Sequence, residues 1–97
     1  MSASPGRTAD ATLNSVASSA TSVQIFAANS AIMRRTLFNE SSAILYLKFA
    51  STAASLTSYT TQVAAGAMYE FPGNPCYRGA VTGIWASANG AARTTEF

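Results

Sequence analysis

Histidine is absent from this 97-residue chain, and cysteine occurs once, at Cys76. Without histidine, the chain has no Ser-His-Asp or Cys-His nucleophile system and no histidine-ligated metal site. One cysteine excludes an intrachain disulfide and a zinc site of several cysteines. The four carboxylates are spaced so that no two form an acid–base pair. We expect no enzyme and no catalytic residue, cofactor or metal, and we expect Cys76 to be a passive thiol, with an intersubunit disulfide as the alternative.

Charge is also scarce. Charged residues make up 10% of the chain, against about a quarter in a typical soluble domain. The net charge is +2, and the longest basic run is Arg34-Arg35, which is not the footprint of a nucleic-acid-binding protein. The sequence lacks a long apolar run of the kind that spans a membrane and the apolar core of a secretory signal. We expect a soluble protein made in the cytoplasm, with neither nucleic acid nor membrane as a partner.

The chain is instead rich in small residues, with 20 alanines, 13 serines and 11 threonines. Leucine, isoleucine, valine and phenylalanine together number 18, a share just under the level at which disorder becomes a concern. Disordered chains also carry high net charge, which this one does not. The length fits one domain. A surface with few charges and many small polar groups favours an assembly protein whose surface is largely covered.

The sequence divides into an Ala/Ser/Thr-rich N-terminal segment, residues 1–20, and a domain, residues 21–97. We predict that the segment is an extended or disordered arm. A helix is the alternative, because Leu13, Val16, Ala20 and Val23 are three or four residues apart. Dense serine and threonine weaken that alternative, since their side chains compete for backbone hydrogen bonds.

From residue 21 the apolar pattern has a period of two, which predicts strands. The clearest places Leu45 and Leu47 on one face and Tyr46 and Lys48 on the other. Gly66 and Asn89-Gly90 are placed where hairpin turns would need positive φ. The sequence therefore predicts an all-β fold, a small antiparallel β-sandwich or barrel of six to seven short strands with an extended N-terminal arm. The predicted strands are residues 21–28, 33–38, 43–49, 59–64, 67–71, 81–86 and 91–96.

Five residues are candidates for an interface. Adjacent arginines in a strand face opposite ways, so one of the pair would reach solvent and the other a subunit contact. Aromatic side chains with a polar tip carry large contact area at interfaces. The alternatives are ordinary surface charges for the arginines, and core packing or a glycan site for the aromatics. The candidate interface residues are Arg34, Arg35, Tyr69, Tyr77 and Trp85.

The order of several short motifs resembles that of a group of small β-rich virion structural proteins of tailed bacteriophages and prophages. The resemblance covers about residues 20–97. Its first motifs are SVQIFAAN at residues 22–29 and NESSAILYLKF at residues 39–49. YEFP at residues 69–72, YRG at residues 77–79, GIWA at residues 83–86 and ANGAARTTE at residues 88–96 follow. Each piece is weak alone, and the ordered string carries the likeness.

The resemblance implies a head decoration, or cement, protein on the capsid surface of the virion, made in the host cytoplasm. Its expected partners are the major capsid protein and further copies of itself, with a trimer expected from fold-level analogy. The stretch from Pro72 to Cys76 is longer than usual for this group and is a candidate for a contact peculiar to one particle. The alternative is a tail or fibre accessory protein that binds a receptor or glycan.

Overall fold

The computed structural model describes residues 10–97, and this part of the chain contains eight strands and no helix. A helix long and apolar enough to cross a membrane is accordingly not found in the described range. The strands are β1 (Thr12–Ala17), β2 (Val23–Phe26), β3 (Arg35–Glu40), β4 (Leu45–Lys48), β5 (Thr61–Val63), β6 (Met68–Glu70), β7 (Val81–Trp85) and β8 (Ala91–Glu96).

Two antiparallel sheets of four strands pack face to face. Sheet A has the order β1-β8-β3-β6, and sheet B has the order β2-β7-β4-β5. Of the strands that follow one another in sequence, only β4 and β5 pair, and every other connection crosses from one sheet to the other. The predicted all-β sandwich is confirmed, with eight strands in the described residues rather than six or seven.

Both predicted hairpins are wrong. β5 and β6 flank Gly66 but lie in different sheets, and so do β7 and β8 around Gly90. The glycines do adopt positive φ, +72° at Gly66 and +82° at Gly90. A glycine with positive φ can reverse the chain between two sheets as well as within one sheet. The glycines therefore locate the turns but do not identify which strands pair.

Strand β1 lies inside the segment for which the sequence predicts an arm. It pairs in continuous antiparallel register with β8, from Thr12 opposite Glu96 to Ala17 opposite Ala91. The helical alternative is therefore wrong for Thr12–Ala17, and the sandwich begins before residue 21. Pairing with β8 packs Val16 against the core, and the threonine, asparagine and serine of this strand are weak helix formers, which together outweigh the helical spacing of Leu13 and Val16. The first part of the predicted arm, residues 1–9, lies outside the described residues.

The core fills the space between the sheets, and sheet B supplies most of its apolar side chains. Alternation along the strands directs Leu45, Leu47, Val63 and Trp85 inward, as the period of two predicts. The core leaves no room for a side chain at position 83. A Cβ on Gly83 would come within 2.8 Å of Ile25 and 3.1 Å of Leu45. Sheet A differs, since its inward row on β3 includes the polar residues Arg35 and Asn39, both fully buried.

Candidate interaction surface

The outward face of sheet A carries the most exposed large apolar side chains in the described chain. The register aligns Leu13 with Thr95 and Thr36, and Ser15 with Arg93, Phe38 and Met68. Leu13 is 74% exposed and Met68 is 69% exposed, while Phe38 is half-buried between its neighbours. We call this face the A face; its outward residues are Leu13, Ser15, Ala17, Thr36, Phe38, Glu40, Met68, Glu70, Ala91, Arg93 and Thr95.

The charges on the A face occur in opposite-sign pairs. Arg93 donates from Nε to Glu40 Oε1 at 2.8 Å, across the β3–β8 ladder. Glu70 pairs with Arg34, which precedes β3. All four side chains are about half exposed, so solvent screens these pairs and their contribution to stability is small. Their effect is to leave the A face nearly neutral.

The adjacent arginines have opposite environments. Arg34 is exposed and extends over the ring of Phe97, with 5.7 Å between the guanidinium carbon and the ring centroid. Arg35 is fully buried within its own chain, so its prediction as an interface residue is wrong. Because successive side chains along an extended chain point to opposite faces, Arg35 is directed inward and Arg34 outward. This arginine is held by the fold and is not available to a partner.

The buried guanidinium of Arg35 joins β3 to β8 and to the loop before β7. Its Nε donates to Glu96 Oε2 at 2.8 Å, and it lies 4.6 Å above the centroid of the Phe26 ring. Since an arginine without partners could not be buried, these contacts are what make its position tolerable. The remaining donors reach the backbone carbonyls of Ala27, Tyr77 and Gly79 at 2.7–3.0 Å.

Trp85 is 1% exposed, so it belongs to the core and its prediction as an interface residue is also wrong. Its indole Nε1 donates to Asn39 Oδ1 at 3.1 Å, which connects β7 of one sheet with β3 of the other. The Asn39 amide in turn donates to the carbonyls of Ala43 and Val63 at 2.9 and 3.0 Å. A buried indole usually finds a partner, and here that partner is a buried asparagine.

The two tyrosines lie on one aromatic cluster, without Trp85. Phe49 stacks on Phe71 and on Tyr77, with centroids 4.8 and 5.2 Å apart, and Tyr69 meets Phe71 edge-on at 5.3 Å. Tyr77 is 38% exposed, and its hydroxyl donates to the carbonyl of Ala80. Tyr69 is half-buried. The three-aromatic platform that would stack a sugar is therefore not formed, because Trp85 is buried elsewhere.

The loop that contains Pro72, Gly73, Asn74 and Pro75 is exposed, whereas the thiol that follows it is not. Cys76 is 5% exposed, and its backbone N–H donates to the carbonyl of Met33 at 2.9 Å. A buried thiol on the core is not placed to form an intersubunit disulfide in this conformation, which favours the passive thiol of the two interpretations.

The sequence pattern does not identify the two most exposed apolar residues of the A face, Leu13 and Met68. Leu13 fell in the segment assigned to the arm, although the outward set Leu13, Ser15 and Ala17 alternates with Asn14 and Val16. Met68 lies in the predicted strand of residues 67–71, where the neighbouring Tyr69 is the candidate interface residue. Alternation assigns Leu13 and Met68 to faces, yet only the sheet order shows that the two residues share one.

Comparison with known proteins gives no assignment: no family model matches the sequence, and no curated protein or solved structure is significantly similar to it.

Proposed function

We propose that this protein is a head decoration protein of a tailed bacteriophage, which binds the outside of the shell and stabilises contacts between major capsid subunits. The observation that carries the proposal is the A face, a nearly neutral sheet surface on which Phe38 and Met68 lie side by side and Leu13 is exposed on the opposite edge strand. Large apolar side chains exposed beside polar groups on one face are typical of a protein-binding site. The motif string between residues 22 and 96 supports the phage origin by resemblance.

The chemistry of the A face fits a protein surface as its partner. Interface cores are depleted in charge and rich in apolar and aromatic contact area. On the A face, Leu13, Phe38 and Met68 provide the apolar area, while Arg93 and Glu40 on the two central strands neutralise each other. A shell subunit could cover this surface without leaving an isolated buried charge, which would be costly.

The A face is small for a complete interface. Three strands of six residues and one of three, about 4.8 Å apart and about 3.4 Å per residue, give a face of about 340 Å². A stable interface buries about 800 Å² on each partner. A decoration protein with this face would therefore need further area, from self-association or from residues beside the sheet, and a trimer is the expectation carried by analogy.

The first test is a copy count on purified particles. Heads and tails are separated, and the protein is quantified in each fraction by mass spectrometry against the major capsid protein. The proposal predicts hundreds of copies in the head fraction at a fixed ratio to the shell subunit. A few copies travelling with the tails would overturn it and would favour the tail or fibre accessory protein.

A further inference from the structure

Strand β1 is an open sheet edge of a kind that folded proteins usually protect. It is the outermost strand of sheet A and is six residues long, with no charged residue and no proline. Within residues 10–97, only β8 pairs with it. Exposed edges offer a row of backbone groups to other strands, and proteins generally blunt them with charges, prolines, bulges or short length.

The other three edges in the described chain carry such protection. β2 has a register shift between Gln24 and Phe26, which bends the ladder. β5 and β6 are three residues each. β6 also bears Glu70 and is followed by Pro72. The open edge of β1 is thus a particular feature of this strand rather than a general property of the sandwich.

The free backbone groups of β1 belong to Leu13, Ser15 and Ala17. The ladder continues to Ser18, whose N–H donates to the carbonyl of Gly90 at 3.0 Å, in line with the β1–β8 register. Antiparallel ladders use alternate residues on each side, so the even-numbered residues of β1 bond to β8. The N–H and C=O groups of the three odd-numbered residues therefore point away from the sheet.

We propose that β1 pairs antiparallel with β1 of a second copy of this chain, across a two-fold axis at Ser15. In this register Ser15 lies opposite Ser15 of the second copy, and Leu13 lies opposite Ala17. All three free N–H groups and all three free C=O groups of each strand then form hydrogen bonds. Two-fold pairing of one surface with itself is the commonest mode of homodimer formation.

The sequence of β1 is compatible with its own copy. The strand has no charge, so the two-fold axis opposes no like charges. On the outward side, the large side chain of Leu13 meets the small side chain of Ala17. Arg93, beside Ser15 on β8, is directed away by its pair with Glu40. The absence of charge on β1 favours pairing, because like charges directly opposite each other in antiparallel strands are destabilising.

The surroundings of β1 leave room for a second strand. Five of its six residues are exposed. An open groove of about 190 Å³ separates β1 from β2 and is lined by Ile25 and Phe26 among others. A strand added beside β1 would lie across the mouth of this groove. Pairing would join the two copies of sheet A into one continuous eight-stranded sheet.

This inference rests on the strand edge and is independent of the proposed function, so it is tested on the purified protein alone. Sedimentation over a wide range of concentration should show a reversible change to twice the mass of the single chain. Ser15→Pro removes a donor that faces the open edge, a position where an edge strand tolerates proline, and should abolish the dimer. Met68→Pro is the matched control, since Met68 faces the open edge of β6, and it should leave the dimer intact.

The register is tested with cysteines. Under mild oxidation, Ser15→Cys should form a disulfide-linked dimer, because antiparallel neighbours opposite each other are about 5.5 Å apart at Cα. Ala17→Cys, on the same strand and side, should not, since the two introduced thiols would be about 14 Å apart along the strands. A further pair addresses the case in which Ser15→Pro fails to fold: Ser15→Lys and Ser15→Glu should each be monomeric and should form a dimer when mixed.

Three results would overturn the proposal. The first is a protein that stays monomeric at all concentrations. The second is the trimer expected from analogy, because β1 pairing across a two-fold axis gives a dimer. The third is a dimer that Ser15→Lys leaves unchanged, because that dimer would use another surface. Binding to shells does not enter any of these results, so the dimer and the proposed function can fail separately.

Discussion

Adjacent residues of one type show how the strand decides the role of a side chain. Arg34 and Arg35 have the same chemistry, yet one lies at the surface beside Glu70 and the other is buried against Glu96 and Phe26. The sequence predicts that they face opposite ways. It does not predict that Arg35 is enclosed by its own chain, because the enclosing carbonyls come from a loop distant in sequence.

Replacing these arginines should have very different effects on stability. Arg35→Ala leaves the partly buried Glu96 and several carbonyls without their donor, and the free energy of unfolding should fall by about 3–5 kcal/mol. Arg34→Ala should lower it by less than about 1 kcal/mol, since its pair is solvent-exposed. Urea unfolding followed by the fluorescence of Trp85 measures both. Equal losses for the two variants would contradict the burial of Arg35.

The intersheet contact of Asn39 allows a nearly isosteric test. Asn39→Asp keeps the oxygen that accepts from Trp85 but replaces the donor to the carbonyls of Ala43 and Val63 by a carboxylate oxygen. Burying that charge among acceptors should cost about 3 kcal/mol or more at neutral pH.

Asn89→Asp is the control for this substitution. The exposed Asn89 uses its side-chain oxygen to accept from the N–H and hydroxyl of Ser42, so an aspartate preserves these bonds. Its unfolding free energy should change by less than about 0.5 kcal/mol. Thermal unfolding of the two variants side by side provides the comparison, and a similar loss in both would show that Asn39 does not hold the sheets together.

At the scale of the elements, alternation predicts the existence of strands better than their partners. Residues 91–96 match β8 at both ends, and the inward row of β4 is the predicted one. The predicted strand at residues 33–38 begins early, because Met33 and Arg34 bond to Phe97 before the β3–β8 register starts. A local pattern does not predict which strands pair, because pairing depends on which connections cross between the sheets. It does not predict β1 either, because four small or polar residues hide the alternation around Leu13.

The two crossings with positive φ can be separated by a matched pair of substitutions. Gly66→Ala meets no atom within 4 Å, so its cost should be the backbone term alone, about 1–2 kcal/mol. At Gly90 a Cβ would lie 2.1 Å from the carbonyl oxygen of Glu40, so the end of β3 would have to move. We expect Gly90→Ala to cost at least about 3 kcal/mol. Equal melting temperatures for the two variants would show that the approach of Gly90 to Glu40 is not maintained in solution.

For the whole molecule, the open edge of β1 and the A face belong to the same sheet. A single A face is about half of a standard interface, as estimated above. Pairing through β1 places two A faces side by side on a continuous sheet, which roughly doubles the area presented in one direction. The remaining sheet surface differs, because on sheet B Tyr46 packs against Tyr59, and Gln62 donates to the Tyr59 hydroxyl at 2.8 Å. Those groups already satisfy one another within the chain.

Substitutions at two exposed residues on opposite sides of the sandwich test which face binds the shell. Met68→Asp places a carboxylate beside Phe38 on the A face, and shell binding should be lost because a buried interface would have to desolvate it. Ile44→Asp, at a residue 37% exposed beside sheet B, is the control and should bind like the parent. The unfolding free energy of Met68→Asp should stay within about 0.5 kcal/mol of the parent, whereas Ile44→Asp should lose about 1 kcal/mol because more of Ile44 is buried. Co-sedimentation with purified shells gives the readout.

Since Met68 is far from β1 in sheet A, Met68→Asp should also keep the dimer, and this separates a docking defect from an assembly defect. Loss of binding with Ile44→Asp alone would move the docking surface to sheet B and leave the A face without the role proposed for it.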